Sequence, residues 1–399
     1  MLGYLTAGIL LVFLVSIIFI LPKVSYKLKR RLTDGFFASI SGLSAIFIII
    51  FIIYFFIHIY ILGKSHLSWE FIFSNPLDGL TRGGIFPAII GTSLLVLIMS
   101  IIGVPIGTIT AIYLAEYAKE NSIITKSIRF AVNTLSGIPA IVFGLFGLGF
   151  FIGVIGKQMD NYDIKKTMNK MEILFNQQDS PFRKDGKATV PLIRDYLLKC
   201  DKVYWHTQLE QVKVLSEMNG DIEPIEKQKV MQFFRDRINL KWGQPALIWA
   251  ALTMALLTLP IVIVSVEEAI RTIPREIKEA SLALGATKFA TILKIVIPGA
   301  LPGILTGTIL TISRGAGEVA PILFTGVAYY LPDLPNSFSS QFMHLGYHIY
   351  VLTTQSTNVE LTKPLQYATT LVLLLMTFML NFTAIFIRSR IRSRMSEHG

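Results

Sequence analysis

An arginine and a glutamate stand four residues apart in an otherwise apolar run, Thr311-Ile-Ser313-Arg314-Gly315-Ala316-Gly317-Glu318-Val319-Ala320-Pro321. Helical spacing puts the two charges on one face, about 6 Å apart along the axis. A charge at hydrocarbon depth costs at least about 2.5–3.5 kcal/mol, so both groups must face protein or water. A guanidinium offers a planar fork of donors that matches a tetrahedral oxyanion. A carboxylate beside it repels a fully deprotonated anion but accepts a hydrogen bond from one that keeps a proton. The pair therefore favours phosphate over sulfate. Ser313 adds a hydroxyl at the same place, and Gly315 and Gly317 thin the helix for close approach. The alternative is an ion pair that neutralises itself and serves the fold. The two roles can coexist.

The chain around this pair is built for a bilayer. Of 399 residues, 52% are hydrophobic and 16% charged, a balance that excludes an ordinary soluble enzyme. The single cysteine, Cys200, excludes an intramolecular disulfide and a Cys-rich metal site. Runs of ~20 apolar residues suggest seven spans, near Leu2–Leu21, Phe36–Leu62, Ile85–Leu114, Ala131–Ile155, Pro245–Val266, Leu301–Val327 and Leu365–Ile387. The first lacks a basic leader region and a cleavage site, and so reads as a retained span. Lys and Arg crowd alternate loops: Lys23 to Arg31, Lys119 to Arg129, Arg271 to Lys294 and Arg388 to Arg394. By the positive-inside rule these face the cytoplasm. Seven spans then put the N-terminus outside and the C-terminus inside. The net charge of +11 is thereby a topology signal, and no nucleic-acid role follows from it.

The expected organisation is an all-α membrane protein with a small, mostly helical extracytoplasmic insertion. Residues 1–35 form an extra N-terminal span and basic loop, and 36–156 the first part of the core. Residues 157–243 form the insertion, 244–387 the second part of the core, and 388–399 a basic tail. The insertion is polar, of mixed charge, with helical-looking pieces such as Val190–Lys202 and Pro224–Leu240. It is either a docking surface for a soluble partner or a stabilising addition.

Between the fifth and sixth spans lies a charged, helical stretch, Glu267 to Pro298. Pro274 suits a first helical turn, and Glu276 and Glu279 suit the positive end of the helix dipole. Gly285 is expected to end that helix in a left-handed conformation. Phe289, Ile292, Leu293 and Val296 then repeat as one apolar stripe, and Pro298 is expected to stop the second helix. The reading is helix, glycine turn, helix, with an apolar and a charged face. An amphipathic pair lying on the bilayer surface is the bland alternative.

This stretch resembles the cytoplasmic loop of ABC-importer permeases, whose motif runs E-A-A, three residues, G, nine residues, I-x-L-P. Here Glu279-Ala280-Ser281, Gly285 and Ile295-x-Ile297-Pro298 stand at that spacing, with Ser281 for the second Ala and Ile297 for Leu. The run from Arg314 to Thr325 is similar to R-x-x-G-E-T-A-P-L-L-F-T of the phosphate-specific ABC importer's PstA-type permeases, with Val319 for the Thr. Ala111–Ala118 and Leu135–Phe146 are similar to the same family, and Pro321 favours the PstA over the PstC type. The resemblance implies a type I permease core that pairs with a PstC-type sister. It also implies an ATPase dimer that carries ATP and Mg, and a phosphate-binding protein that delivers substrate from outside. The loop would be the coupling element in the ATPase cleft. This chain would bind no cofactor, since it has no G-x-x-x-x-G-K-[ST] loop. An ABC permease for another oxyanion, or a membrane-anchored enzyme or sensor using the insertion, are the rival classes.

Two further features carry less. Gly137 to Gly149 form a glycine-spaced run that suits helix packing; alternatively Pro139 breaks the helix at depth. His344 and His348, i and i+4 in what reads as an outer loop, have metal-compatible spacing but no accompanying H-E-x-x-H carboxylate. Trp242 and Trp249 flank the start of the fifth span, where interfacial Trp is common.

Overall fold

The computed structural model describes residues 26–77, 82–119, 121–176, 183–184, 187–188, 241–356 and 359–396. The chain divides into two compact units, one up to Lys64 and one from Ser65 onward. The first contains α1 (Tyr26–Gly63), whose apolar side chains from Phe36 to Leu62 are largely exposed. A helix with so little buried surface and so apolar a composition suits lipid on its flanks.

The second unit is a helical bundle. After the short α2 (Trp69–Phe73) and a two-residue hairpin, β1 (Pro76–Leu77) with β2 (Arg82–Gly83), come α3 (Phe86–Ile112) and a π-helical turn, Tyr113–Tyr117. Next are α4 (Ile123–Gly137) and α5 (Ala140–Phe146), which runs through π-helical Gly147–Gly156 into α6 (Lys157–Asn176). The second half holds α7 (Leu247–Arg271), α8 (Arg275–Ala283) and α9 (Lys288–Thr291). The last of these continues through Ile292–Val296 into α10 (Ile297–Gly317). The unit closes with α11 (Leu345–Thr354) and α12 (Val359–Ser396). Among the described residues six helices are long and apolar enough to cross a membrane: Thr33–Gly63, Phe86–Tyr117, Ala140–Lys166, Leu247–Arg271, Lys288–Gly317 and Thr362–Arg390. The span expected at Leu2–Leu21 lies outside the described residues.

The core sits where α3 and α10 pack on α7. Leu95, Val96 and Met99 from α3 meet Ala250, Ala251 and Met254 from α7, with Ala316, Ile322 and Phe342 closing the cluster. Glycines let the backbones approach. A Cβ at Gly107 would lie 2.6 Å from Val262 Cγ1, and one at Gly303 would lie 2.0 Å from Ala269 Cβ. Van der Waals packing of this kind holds membrane helices together where no hydrophobic difference exists between side chains and lipid.

Three expectations change. The fourth span does not start at Ala131: Ile138 and Pro139 are extended, so α4 is a separate helix and the span begins at Ala140. Proline disfavours helix in the residue before it, which places the break. Pro298 does not stop a helix. It lies inside a run that is helical from Lys288 to Gly317, directly after the π-helical Ile292–Val296, and a local π adjustment of this kind accommodates a proline within a membrane helix. The sixth span ends ten residues early, at Gly317. The chain from Glu318 to His344 is then mostly irregular.

That irregular chain is not left unpaired. Carbonyls of Thr325, Phe338 and Ser340 accept the N–H groups of Ala246, Ile248 and Leu247, which would otherwise be orphaned at the start of α7. Leu345 N–H donates to Thr92 Oγ1 at 2.9 Å. Gly144 and Gly326 admit its backbone closely: a Cβ would lie 2.8 Å from Pro321 O and 2.4 Å from Ala246 O.

The insertion starts as a continuation of its span, through α6. Its far end returns at Lys241–Gly243, and Asp160 clasps it. The carboxylate accepts backbone N–H bonds from Lys241 (3.0 Å), Trp242 (2.8 Å) and Gly243 (2.5 Å). Trp249 Nε1 donates to Trp242 O at 2.7 Å, and Trp249 is buried, so it is a packing residue rather than an interfacial one. Between these ends the hairpin β3 (Arg183–Lys184) with β4 (Lys187–Ala188) is described; the helical pieces expected at Val190–Lys202 and Pro224–Leu240 lie outside the described residues. Asp160→Ala strips three backbone N–H groups of a shared, buried charged acceptor and is expected to cost about 2–3 kcal/mol. A lowered thermal midpoint of the purified protein, with Asp160→Asn in between, checks this.

Candidate functional site

Arg314 is in the last turn of α10, and Glu318 is the residue just beyond it, with extended backbone at φ −84 and ψ 127. The two charges are therefore not on one helical face. The carboxylate is brought back by the turn in the chain, to 3.8 Å between Arg314 Nε and Glu318 Oε2. That is an ion pair too long for a hydrogen bond. Among the described residues no hydrogen bond of the guanidinium is recorded, so its donor fork remains available. The Arg314 side chain is 43% exposed and that of Glu318 24%. Ser313, also exposed, accepts a bond from Asn381 Nδ2 at 3.1 Å. Asn381 Oδ1 is buried without a partner. Asn381 was not singled out from the sequence, because a lone amide in the last span carries no pattern of its own.

Packing fixes the arginine's helix. A Cβ at Gly315 would lie 1.9 Å from Met99 Cε, so the methionine of α3 fills the notch beside Arg314. Gly317 has open space around its Cβ position. Val319 is partly buried beside Gly346, where an added Cβ would lie 2.8 Å from Val319 Cγ2 and 3.3 Å from the His344 ring. The methyl group at this position serves packing.

The two histidines lie in the connection between the last two spans and are not loosely exposed there. His344 precedes α11, His348 lies within it, and both are buried. Among the described residues none of their four ring nitrogens has a hydrogen-bond partner, and no group of three or more His, Cys, Asp or Glu is placed to hold a metal. Burial pushes His344 down from the ordinary 6.5 to about 3, and His348 to about 4, because a charged ring there has nothing to replace its water.

The second set of residues forms a separate site at the other end of α10. Gly285 has φ +84, as its helix-ending place requires. Glu279 and Ala280 are exposed on α8. Ser281 Oγ lies 2.9 Å from Thr291 Oγ1 and so ties α8 to the helix after the glycine. Ile295, Ile297 and Pro298 are part of the continuous rod that carries Arg314, which is 16 residues beyond Pro298, about 24 Å along a helix. The apolar stripe is split: Ile292 and Val296 are buried in the bundle, whereas Phe289 is 68% exposed and Leu293 52%, and Leu284 at the end of α8 is 88% exposed.

Buried charge braces this end. Glu267 Oε1 accepts Arg129 Nη2 at 2.8 Å and Arg271 Nη2 at 2.9 Å, beside a cavity of about 430 Å³ that Asn133 and Glu268 also line. Lys278 Nζ reaches Glu116 Oε1 at 2.5 Å. These contacts put the chain around 116–129 and the chain around 267–288 at the same end of the bundle.

A helical bundle of this order, with an exposed helix–glycine–helix loop between two spans, defines a membrane permease. The family described as "Binding-protein-dependent transport system inner membrane component" matches residues 103–397, and the chain belongs to that family. It is 26% identical over 298 residues to the probable ABC transporter permease protein YqgI of Bacillus subtilis (strain 168), covering 75% of this chain and 72% of that protein. It is also 26% identical over 255 residues to the phosphate transport system permease protein PstA 1 of Mycobacterium tuberculosis (strain ATCC 25618 / H37Rv), covering 64% of this chain but 54% of that one. The chain thus spans about half the length of this second relative. In fold it is similar, at 15% identity and a TM-score of 0.51, to a chain of a bacterial alginate ABC transporter crystallised with an alginate pentasaccharide-bound periplasmic protein; the match covers 91% of this chain and 97% of that one.

Two outcomes follow from this geometry. An unfolded chain takes up protons on His344 and His348 below pH 6.5 whereas the folded chain does not. This contribution to stability is therefore complete above pH 6.5 and is lost as pH falls through 6.5 towards 4. The thermal midpoint should fall between pH 7.5 and pH 5, and fall less in the His344→Phe/His348→Phe variant. Gly285→Ala meets open space but a left-handed backbone. It should cost about 1 kcal/mol, read as faster hydrogen exchange confined to residues 275–291.

Proposed function

We propose that this permease is one of the two membrane subunits of an ATP-driven importer of inorganic phosphate. The observation that carries the reading is Arg314: an intramembrane guanidinium whose donors are not used up by Glu318, with that carboxylate within reach. Such a site can hold an oxyanion in the guanidinium fork while Glu318 accepts a hydrogen bond from the proton that phosphate retains and sulfate lacks. The likeness to PstA-type phosphate permeases supports the same substrate. Ser313, Arg314 and Glu318 lie on the surface of a single subunit, where a PstC-type sister would complete the pathway.

ATP hydrolysis belongs to a separate ATPase dimer, which would bind ATP and Mg. Its docking surface on this chain is the exposed loop, with Glu279, Ala280, Ser281 and Gly285 at its centre and Leu284 and Phe289 as its apolar contacts. A soluble phosphate-binding protein would deliver substrate on the opposite side, the side on which the 157–243 insertion would also lie. The orientation follows from the lysines and arginines of the 119–129, 271–294 and 388–394 stretches, which belong on the cytoplasmic side.

The test is phosphate uptake by cells whose importer carries Arg314→Gln, with the subunits still copurifying. Removing one partner of a desolvated charged contact costs about 2–5 kcal/mol, so uptake should fall at least tenfold. Undiminished uptake would remove Arg314 from the pathway. Uptake of sulfate or another oxyanion in place of phosphate would reassign the substrate while keeping the transporter.

A further inference from the structure

The π-helical turn at Tyr113–Tyr117 delivers one residue, Glu116, into the crook of the loop. Ala118 N–H bonds back to Tyr113 O at 2.8 Å, a wider turn than an α-helix makes, and single turns of this kind re-aim side chains. Glu116 then contacts both helices of the loop. Its carboxylate takes Lys278 Nζ of α8 at 2.5 Å. Its backbone carbonyl accepts Lys288 Nζ of α9, and the same ammonium lies 4.6 Å from the centre of the Tyr117 ring. Lys278 and Lys288 stand on either side of Gly285. A single residue therefore bridges the glycine turn from outside the loop.

The pair is shielded. The Lys278 and Glu116 side chains are 18% and 14% exposed, so little water screens the charges, and removing one partner would strand the other in a poorly solvated place. The segment is the end of α3. That helix runs back along α7 through the Gly103 and Gly107 notches and presents Met99 to Gly315, next to Arg314. The loop is joined to the arginine's helix by covalent continuity through α9 and α10. It is joined to α3 by the Glu116 contacts, by Lys288 over the Tyr117 ring, and by an apolar cluster in which Ala111 and Leu114 sit with Ile292 and Val296.

We propose that Glu116 is a positioning residue that fastens both coupling helices to α3, so that the loop and the end of α3 move as one body. A push on the loop then reaches the Arg314 region from two sides: along α10, and through α3 and Met99. The glycine turn at Gly285 is held at a fixed angle by the clamp. The proposal rests on the reading that this loop receives the ATPase's movement, and it adds the residue that makes α3 part of the moving unit. Ala111–Ala118, similar to the PstA-type family but without an assigned role, thereby acquires one.

The experiment uses the complete complex with its sister permease, ATPase and binding protein, reconstituted in vesicles with inorganic phosphate as the probe. In Glu116→Gln, the ATPase should copurify and basal hydrolysis should stay within about twofold of the parent. Stimulation of hydrolysis by phosphate-loaded binding protein should fall at least fivefold, with KM for ATP unchanged. Full stimulation in this variant overturns the proposal. Should Glu116→Gln fail to assemble, Lys278→Met breaks the same pair from the other side and is read the same way. Glu116→Cys and Lys278→Cys, introduced with Cys200→Ser and joined by a short bis-maleimide, supply the converse. If the two elements travel together, the tethered complex retains stimulation; its loss overturns the one-body claim. A parent complex that phosphate does not stimulate at all would remove the underlying reading instead, a result distinct from failure of the Glu116 variants.

Discussion

Backbone polar groups cannot be left unpaired where water is scarce, and this limits where a helix in this bundle can end. α10 ends at Gly317, and the following chain stays inside the bundle only because α7 begins beside it. The first N–H groups of α7 need acceptors, and Thr325, Phe338 and Ser340 supply carbonyls. One set of orphan groups satisfies the other. Glu318 is carried by this arrangement. It approaches Arg314 from a broken helix end, and its backbone is free of helical geometry.

The segments that resemble PstA-type permeases are distant in sequence but meet in space. Gly144, from the second of them, admits Pro321 from the third. Ala111–Ala118 meets the loop through Glu116. At such contacts geometry constrains the residue more than chemistry does: a Cβ at Gly144 would meet the backbone of Pro321 at 2.8 Å, closer than packing can absorb. The same constraint accounts for Ser281. Where the family motif has alanine, this chain has a hydroxyl, and Thr291 stands opposite it.

The insertion obeys a different logic. It adds polar chain to a bundle whose spans must not shift, and Asp160 isolates the addition by closing its two ends on one carboxylate. Whatever the intervening residues do, the start of α7 is held. This matters because α7 is the helix on which both α3 and α10 pack, and on which Glu267 gathers Arg129 and Arg271.

The sequence alone determined the class of the molecule. The six spans that fall among the described residues, the exposed helix–glycine–helix loop and the placing of Arg314 and Glu318 in an apolar run all follow from apolar run length and charge placement. Those signals are local, carried by neighbouring residues. What only the tertiary structure decided is where helices stop and which distant groups pair. Pro298 reads as a stop, but the helix runs through it, just after the π-helical Ile292–Val296. The glycine run reads first as helix packing and only second as a break at Pro139, until Ile138 is seen extended. Glu116, Asp160 and Asn381 carry no pattern that spacing could reveal, since their partners lie dozens to more than a hundred residues away; the bond from Arg129 to Glu267 is equally distant, although Glu267 also pairs with Arg271 four residues on. Their pairing depends on the bundle that brings them together, and no window of sequence contains it.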